Sequence, residues 1–291
     1  MSVTVEAPAK INLTLDVTGR RDDGYHLIET VMQAVDLYDR VTVRLTGKPG
    51  AFTLACGDER VPDGPDNTAL RAADAFFNSI GLPNPGVEIT LHKRIPLQAG
   101  LAGGSADAAG TLVALDRLLD TRMTPEELCA VAEAVGADVP FCVLGAAAYA
   151  EGTGTILTPL PSLPDCAVVV AKPVDGMRTE EAYRRLDCAE ISRRPHTGAV
   201  ADALCAGDLA AVVRELCNVF EEALALPETA EIQRVMREHR TLGCRMTGSG
   251  SAVFGLFDDD EAARRCTAVL RRRYEEVFIC RPCPHGPVVR G

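Results

Sequence analysis

The stretch Pro96-Leu97-Gln98-Ala99-Gly100-Leu101-Ala102-Gly103-Gly104-Ser105-Ala106-Asp107-Ala108-Ala109 governs the reading of the whole chain. It opens in glycines and small residues and closes in an alanine-rich helix former. With no Cβ in the way, backbone N–H groups of such a loop approach an anion closely. A helix beginning at its end adds unsatisfied N–H groups and a favourable dipole. The expectation is a phosphate cradle, and with it a nucleotide. The alternative is a plain helix-entry loop, because glycine is common at turns. The glycines at 100, 103 and 104 miss the G-x-G-x-x-G spacing, and the Gly-Lys-Ser/Thr ending of a P-loop is absent. Ser105 is placed to cap the helix, contact a phosphate or ligate Mg²⁺.

Outward from the loop, Val87-Glu88-Ile89-Thr90-Leu91 reads as a strand running into it, and Ser105 to Leu119 as the helix leaving it. Further upstream, residues 3–17 read as a strand, 19–24 as a polar loop and Val41 to Leu45 as a second strand. Asn67 to Ile80 has helical spacing through Leu70, Ala73, Phe76 and Phe77. Downstream, Thr124-Pro125-Glu126-Glu127 predicts a helix start with a capping box. That helix should stop near Gly136, leaving Asp138-Val139-Pro140 in a connection. Pro159 to Pro164 suggests a lobe boundary, dividing the chain into 1–160 and 161–291. Beyond it come a strand from Cys166 to Ala171, two or three helices from Thr179 to Arg240, and a second glycine-rich turn, Arg245 to Ser251. A strand from Ala252 to Phe257 and a helix from Glu261 to Arg273 follow. Strands and helices mix without regular βαβ alternation, so the expected class is α+β.

Bulk properties narrow the function. The 291 residues allow two lobes, and 47% hydrophobic with 24% charged residues fits a soluble globular protein. A net charge of −11 argues against nucleic-acid partners. A polyanionic ligand then needs local positive charge, for which Lys10, Arg20, Arg21, Lys93 and Arg94 are positioned. A secretory leader and a membrane-spanning apolar run are both lacking, so a cytoplasmic location is expected. The 11 cysteines are odd in number and scattered, which reads as reduced thiols.

The loop closely resembles the Pro-x-x-x-Gly-Leu-x-Gly-Gly-Ser-Ser/Ala motif of the GHMP small-molecule kinases. Ala7-Pro8-Ala9-Lys10-Ile11-Asn12-Leu13-Thr14-Leu15 and Gly19-Arg20-Arg21-Asp22-Asp23-Gly24-Tyr25-His26 resemble the branch whose acceptor is a cytidine diphosphate-linked sugar alcohol. Gly136-Ala137-Asp138-Val139-Pro140 and Thr247-Gly248-Ser249-Gly250-Ser251 match further family motifs in order. The resemblance runs from about Ala7 to Phe257. It implies a two-lobed fold with the active site in the cleft between lobes, ATP as phosphate donor and Mg²⁺ to neutralise charge.

Read alone, Asp138 is a turn or capping residue or a base; the family's catalytic aspartate falls at this position. Lys10 either snorkels from an apolar strand or stands as a cation beside Asp138 and the acceptor hydroxyl, and the family's catalytic lysine matches it. The resemblance implies ATP binding by Lys93, Pro96, Leu97, Gln98, Ala99, Gly100, Leu101, Ala102, Gly103, Gly104, Ser105 and Ala106. It implies acceptor binding by Asn12, Tyr25, His26 and Thr179. Tyr25 and His26 offer an aromatic face and ring nitrogens, which suit a cytosine. Two departures stand out. Gln98, Ala99 and Ala102 occupy positions where glycine or other small residues are usual, and Gly176-Met177-Arg178-Thr179 replaces a usual Gly-Val-Ser-Thr. Cys280-Arg281-Pro282-Cys283 with His285 suggests zinc or redox chemistry only weakly, since a second Cys pair is missing. The sequence leaves metal ligands and oligomeric state open.

Overall fold

Strand alternation puts Lys10 and Asn12 on one face of β1 (Ser2–Arg20) and Ile11 on the other, in a computed structural model that describes residues 1–290. β1 pairs antiparallel with β2 (His26–Leu45) from Ser2↔Arg44 to Arg20↔His26, with register shifts at Pro8/Ala9, Asn12/Thr14 and Val17/Gly19. Both strands outrun the expected 3–17 and 41–45. Thr30 to Val35 is buried on both faces, so it carries no alternating pattern to read.

β3 (Phe52–Cys56) precedes α1 (Thr68–Ile80), whose start is capped by Asn67 and whose end turns at Gly81 in the left-handed region. Leu70, Ala73, Phe76 and Phe77 are buried, as their spacing predicts. β4 (Val87–His92) lies beside β2 and leads into the glycine loop. α2 (Gly103–Leu119) starts two residues before the expected Ser105. Its N-cap is Ala102, which has no side chain to cap with, so Ser105 is not the cap. In α3 (Pro125–Glu133) the predicted capping box is present: Glu127 N donates to Thr124 Oγ1, and Thr124 N to Glu127 Oε2. Asp138 lies not in a free connection but at the N-cap of a short helix, α4 (Val139–Leu144). Pro140 in its first turn suits that start.

β5 (Ala147–Glu151) pairs with β2, and β6 (Ile156–Leu160) with β5. β7 (Ala167–Ala171) follows the proline-rich break. Instead of two or three helices, residues 179–240 form five: α5 (Thr179–Leu186), α6 (Thr197–Cys205), α7 (Leu209–Glu215), α8 (Val219–Leu224) and α9 (Pro227–Glu238). Asp208 caps α7, Asn218 caps α8 and Pro227 opens α9, so local end signals cut what reads as longer helices. β8 (Cys217–Asn218) sits between α7 and α8. β9 (Gly243–Met246), β10 (Val253–Phe257), α10 (Asp260–Leu270), β11 (Val277–Cys280) and β12 (Val288–Arg290) complete the described residues.

Two sheets result. The larger has eight strands, β12-β1-β2-β4-β3 with β5, β6 and β8 joined to it; the smaller runs β11-β7-β10-β9. The mix of helix and strand agrees with the α+β expectation. The larger sheet draws strands from both sides of residue 160, because β8 and β12 pair with β1. One extended apolar core packs α1, α2, α3 and α4 on the larger sheet, and a second packs α9 and α10 on the smaller. A small third cluster, including Leu15, Leu186, Phe220 and Met246, ties α5 and α8 to β1.

The two glycine-rich turns meet. Gly100 and Gly248 both have positive φ, and a Cβ on Gly100 would lie 2.1 Å from the Thr247 carbonyl oxygen. One on Gly248 would lie 2.8 Å from the Gly100 Cα. Backbone therefore touches backbone where the lobes join, and only glycine permits it.

Candidate active site

The first turn of α2 leaves Gly103, Gly104 and Ser105 without a side-chain cap, the condition for an anion to take their N–H groups. The loop reaches this form through left-handed backbone at Gln98 and Ala102, costing about 1–2 kcal/mol each for a residue with a Cβ. Bonds from outside hold it there. Lys10 N donates to Leu101 O at 3.2 Å, Thr247 Oγ1 to Gly100 O at 3.2 Å and Ala252 N to Ala99 O at 3.2 Å.

Lys93, expected beside the nucleotide, is instead turned under the loop. Its ammonium is buried and paired with Asp39 and Asp107, and donates to Gly103 O at 3.4 Å. Asp39 Oδ1 also accepts from the backbone of Arg94 and Ile95. A strand-end cation is drawn inward because two buried carboxylates need a counter-charge. Burial, opposed by the Lys93 charge, pushes the Asp107 carboxyl up to about 7. Its Oδ1 has no hydrogen-bond partner. Asp39 and Asp107 carried no spacing signal, and reading the sequence passed them over.

Lys10 and Asp138 come together: Nζ lies 3.9 Å from Asp138 Oδ2, with the Lys10 side chain 5% exposed and that of Asp138 38%. Asp138 makes no side-chain cap to α4, so the capping role open to it in the sequence is not the one it takes. Its carboxylate stays available to the cleft. Asn12, expected among the acceptor's contacts, is committed to protein partners. Its Oδ1 accepts from Lys10 Nζ at 2.6 Å and Gly248 N at 2.9 Å, and its Nδ2 donates to Thr30 Oγ1 at 2.9 Å. Asn12 aims Lys10 and ties it to the second glycine turn.

Two adjoining cavities share this centre. The smaller, about 260 Å³, is lined by Lys10, Asn12 and the loop from Pro96 to Gly104. The larger, about 1200 Å³, is lined by Tyr25, His26, Ser105 and the turn before them. Asp138, Thr179 and Tyr183 line both. Thr179 Oγ1 approaches Ser249 Oγ at 3.4 Å, bridging α5 to the second glycine turn. Ala106, the last loop residue expected at the nucleotide, is fully buried in the core and lines neither cavity. A separate groove of about 830 Å³ between α1 and α3 holds none of the expected catalytic residues.

Tyr25 is 68% exposed at the rim of the larger cavity. Opposite, the His26 ring stacks on Tyr183 with centroids 4.4 Å apart, and Phe220 meets Tyr183 edge-on at 5.0 Å. Burial, then the Asp138 charge, pushes the Tyr183 hydroxyl up to about 12. Tyr183 is the aromatic that reading the sequence missed. On α5 it looks like one more residue of an amphipathic face.

Among the described residues there is no group of three or more His, Cys, Asp or Glu able to hold a metal. Cys280 and Cys283 are buried, with Cys283 N bonded to Ala34 O at 2.8 Å and Pro282 bridged to Val35. That segment clips onto β2. No helix among the described residues is long and apolar enough to cross a membrane.

Residues 67–146 match the family model described as GHMP kinases N terminal domain, and 200–276 that described as GHMP kinases C terminal. A 4-diphosphocytidyl-2-C-methyl-D-erythritol kinase of Alkaliphilus metalliredigens is 40% identical over 279 residues, 95% of each chain. One of Desulfitobacterium hafniense is 41% identical over 290 residues, 98% of each. A crystal structure of 4-(cytidine 5'-diphospho)-2C-methyl-D-erythritol kinase aligns with TM-score 0.78 at 36% identity, covering 99% of both chains. A homoserine kinase of Cytophaga hutchinsonii reaches TM-score 0.79 at 22% identity, covering 99% of this chain and 97% of its own. Backbone shape is thus common to enzymes named for different acceptors, and the sequence identity distinguishes them.

Proposed function

The chain belongs to the GHMP kinases, in their 4-diphosphocytidyl-2-C-methyl-D-erythritol kinase branch, and from that premise we propose how its residues divide the reaction. The enzyme is a small-molecule kinase that phosphorylates 4-diphosphocytidyl-2-C-methyl-D-erythritol with ATP, a step in non-mevalonate isoprenoid precursor biosynthesis. The acceptor oxygen is its 2-hydroxyl. The observation that carries this reading is the Lys10–Asp138 pair at the junction of the phosphate loop and the His26 cavity.

In the proposed mechanism, the loop from Pro96 to Ser105 and the first turn of α2 bind the ATP phosphates. Asp138 takes the proton of the acceptor hydroxyl as that oxygen bonds to the γ-phosphorus and the bond to the departing ADP oxygen breaks. A placed base of this kind contributes about 10²–10⁴-fold. Lys10 faces the same oxygen and offsets the charge that develops there. Tyr25, His26 and Tyr183 receive the cytosine, and Thr179 borders the reacting end.

Mg²⁺ fits the donor set only as a partner of the phosphates. The Ser105 hydroxyl, at the start of α2 and lining the larger cavity, is a hard oxygen donor that suits an ion keeping most of its water. Ser105 and the phosphates would hold it, leaving Asp138 free as the base, and it would neutralise phosphate charge. We assign the donor lobe to 1–160 and its complement to 161–291, with small molecules as the ligands and the cytoplasm as the compartment. The free state of all 11 cysteines supports that compartment.

The test is ADP release on a panel of 4-diphosphocytidyl-2-C-methyl-D-erythritol, homoserine and mevalonate. Turnover of the first is expected. Turnover confined to an acceptor without cytidine would sink the reading.

A further inference from the structure

His26 Nε2 lies 2.7 Å from Asp187 Oδ1, while Arg20 Nη1 lies 3.6 Å from Asp187 Oδ2. Arg20 is fixed in turn, its Nε donating to Gly24 O at 3.0 Å. One face of the imidazole is covered by Tyr183, so the ring offers ligands its edge. His26 Nδ1 has no hydrogen-bond partner among the described residues, and His26 and Asp187 both line the larger cavity. A carboxylate only accepts, so a neutral imidazole beside it carries its proton on Nε2 and leaves Nδ1 as an acceptor.

We propose that Asp187, oriented by Arg20, is a positioning residue that makes His26 Nδ1 an acceptor and thereby selects an exocyclic amino group. The inference rests on the functional reading above, in which this cavity takes the base. Cytosine presents an amine at the ring position where uracil presents a carbonyl. An acceptor facing that carbonyl makes no bond and leaves two lone pairs opposed. The choice between two otherwise equal pyrimidines thus depends on a residue some 160 positions away in sequence, at the C-cap of α5.

Two measurements decide it. The first compares kcat/KM for the cytidine diphosphate-linked acceptor and its uridine diphosphate-linked counterpart, at about pH 8, where a free imidazole is neutral. The wild type is expected to prefer cytidine by at least ~10²-fold, short of the ~10⁴–10⁵ reached where a site is built to bond one specific polar group. In Asp187→Asn the amide is able to donate to Nε2 and shift the proton to Nδ1. That preference should then fall at least ~10-fold, through the acceptor KM, with the KM for ATP unchanged. An unchanged preference in the variant, or equal losses on both acceptors, would overturn the proposal. The second measurement needs no variant: ¹⁵N NMR of the His26 ring in the wild type should report the Nε2–H tautomer, and the Nδ1–H tautomer overturns it. A wild type that phosphorylates neither acceptor would instead count against the kinase reading, which the NMR result does not depend on.

Discussion

Beneath the glycine loop, Lys93, Asp39 and Asp107 are sealed from water, their side chains 6%, 0% and 4% exposed. Across the cleft, His26, Asp187 and Arg20 meet in a wet cavity, at 13%, 37% and 59%. The donor side is made of backbone, locked by a buried charge cluster and by glycines that admit no Cβ. The acceptor side is made of side-chain edges and faces projecting from a turn and a helix. Phosphates are the same in every ATP, so a rigid backbone cradle serves. An acceptor must be told from its analogues, and that requires directional groups whose character a neighbour sets.

Four variants probe this contrast, from large effects to small. Asp138→Asn removes the base at the seam of the two sides and should lower kcat by about 10²–10⁴-fold, with ATP affinity by calorimetry intact. Near-normal turnover would remove Asp138 from that role. Lys93→Met leaves two buried carboxylates without a counter-charge, and thermal or denaturant unfolding should show a loss of about 3–5 kcal/mol. A loss under ~1 kcal/mol, the scale of exposed pairs, would mean that the donor side is not held from below.

Tyr25→Ala is the acceptor-side counterpart. Stacking on a base is worth about 1–3 kcal/mol, so the acceptor KM should rise roughly 10-fold or more while stability stays within about 0.5 kcal/mol. A matching rise in the KM for ATP would contradict the division of labour. The smallest effect is on pH. Asp107 has its folded-state pKa raised from 3.8 to about 7, chiefly by burial, so the native state holds a proton that the unfolded chain releases. Its contribution to stability is present below pH ~4 and lost as pH rises through ~7. Asp107→Asn, which cannot ionise, should therefore gain on the wild type by about 1–2 kcal/mol between pH 6 and pH 8. A constant difference across that range would place the Asp107 pKa elsewhere.

The donor side was largely legible in the sequence because glycine spacing and helix capping are local signals. The capping box of α3 and the apolar face of α1 are of the same kind. What stayed hidden depends on distance. Lys93 reads as a strand-end charge until Asp39 and Asp107 arrive beneath it from β2 and α2. Asn12 reads as a ligand contact until Gly248 and Thr30 take its amide. His26 was visible through its motif, but Tyr183 and Asp187 have nothing in their own neighbourhood to mark them. The middle of β2 was missed because burial on both faces erases the alternation that a solvent-facing strand displays.

The segment from Arg281 to Arg290 gives the molecule a temporal property. It bonds to β2 through Cys283, adds β12 to β1 from Thr4↔Arg290 to Glu6↔Val288, and presses Gly286 against the Val143 carbonyl in the helix that Asp138 begins. During synthesis β1 emerges first and waits for a partner nearly 290 residues later. The support behind Asp138 therefore closes last, and a stalled nascent chain from which residues 1–280, but not 281–290, have emerged should hold nucleotide before it turns over acceptor. Stalled ribosomal complexes that already phosphorylate acceptor at that point would show that the helix seats without its clasp.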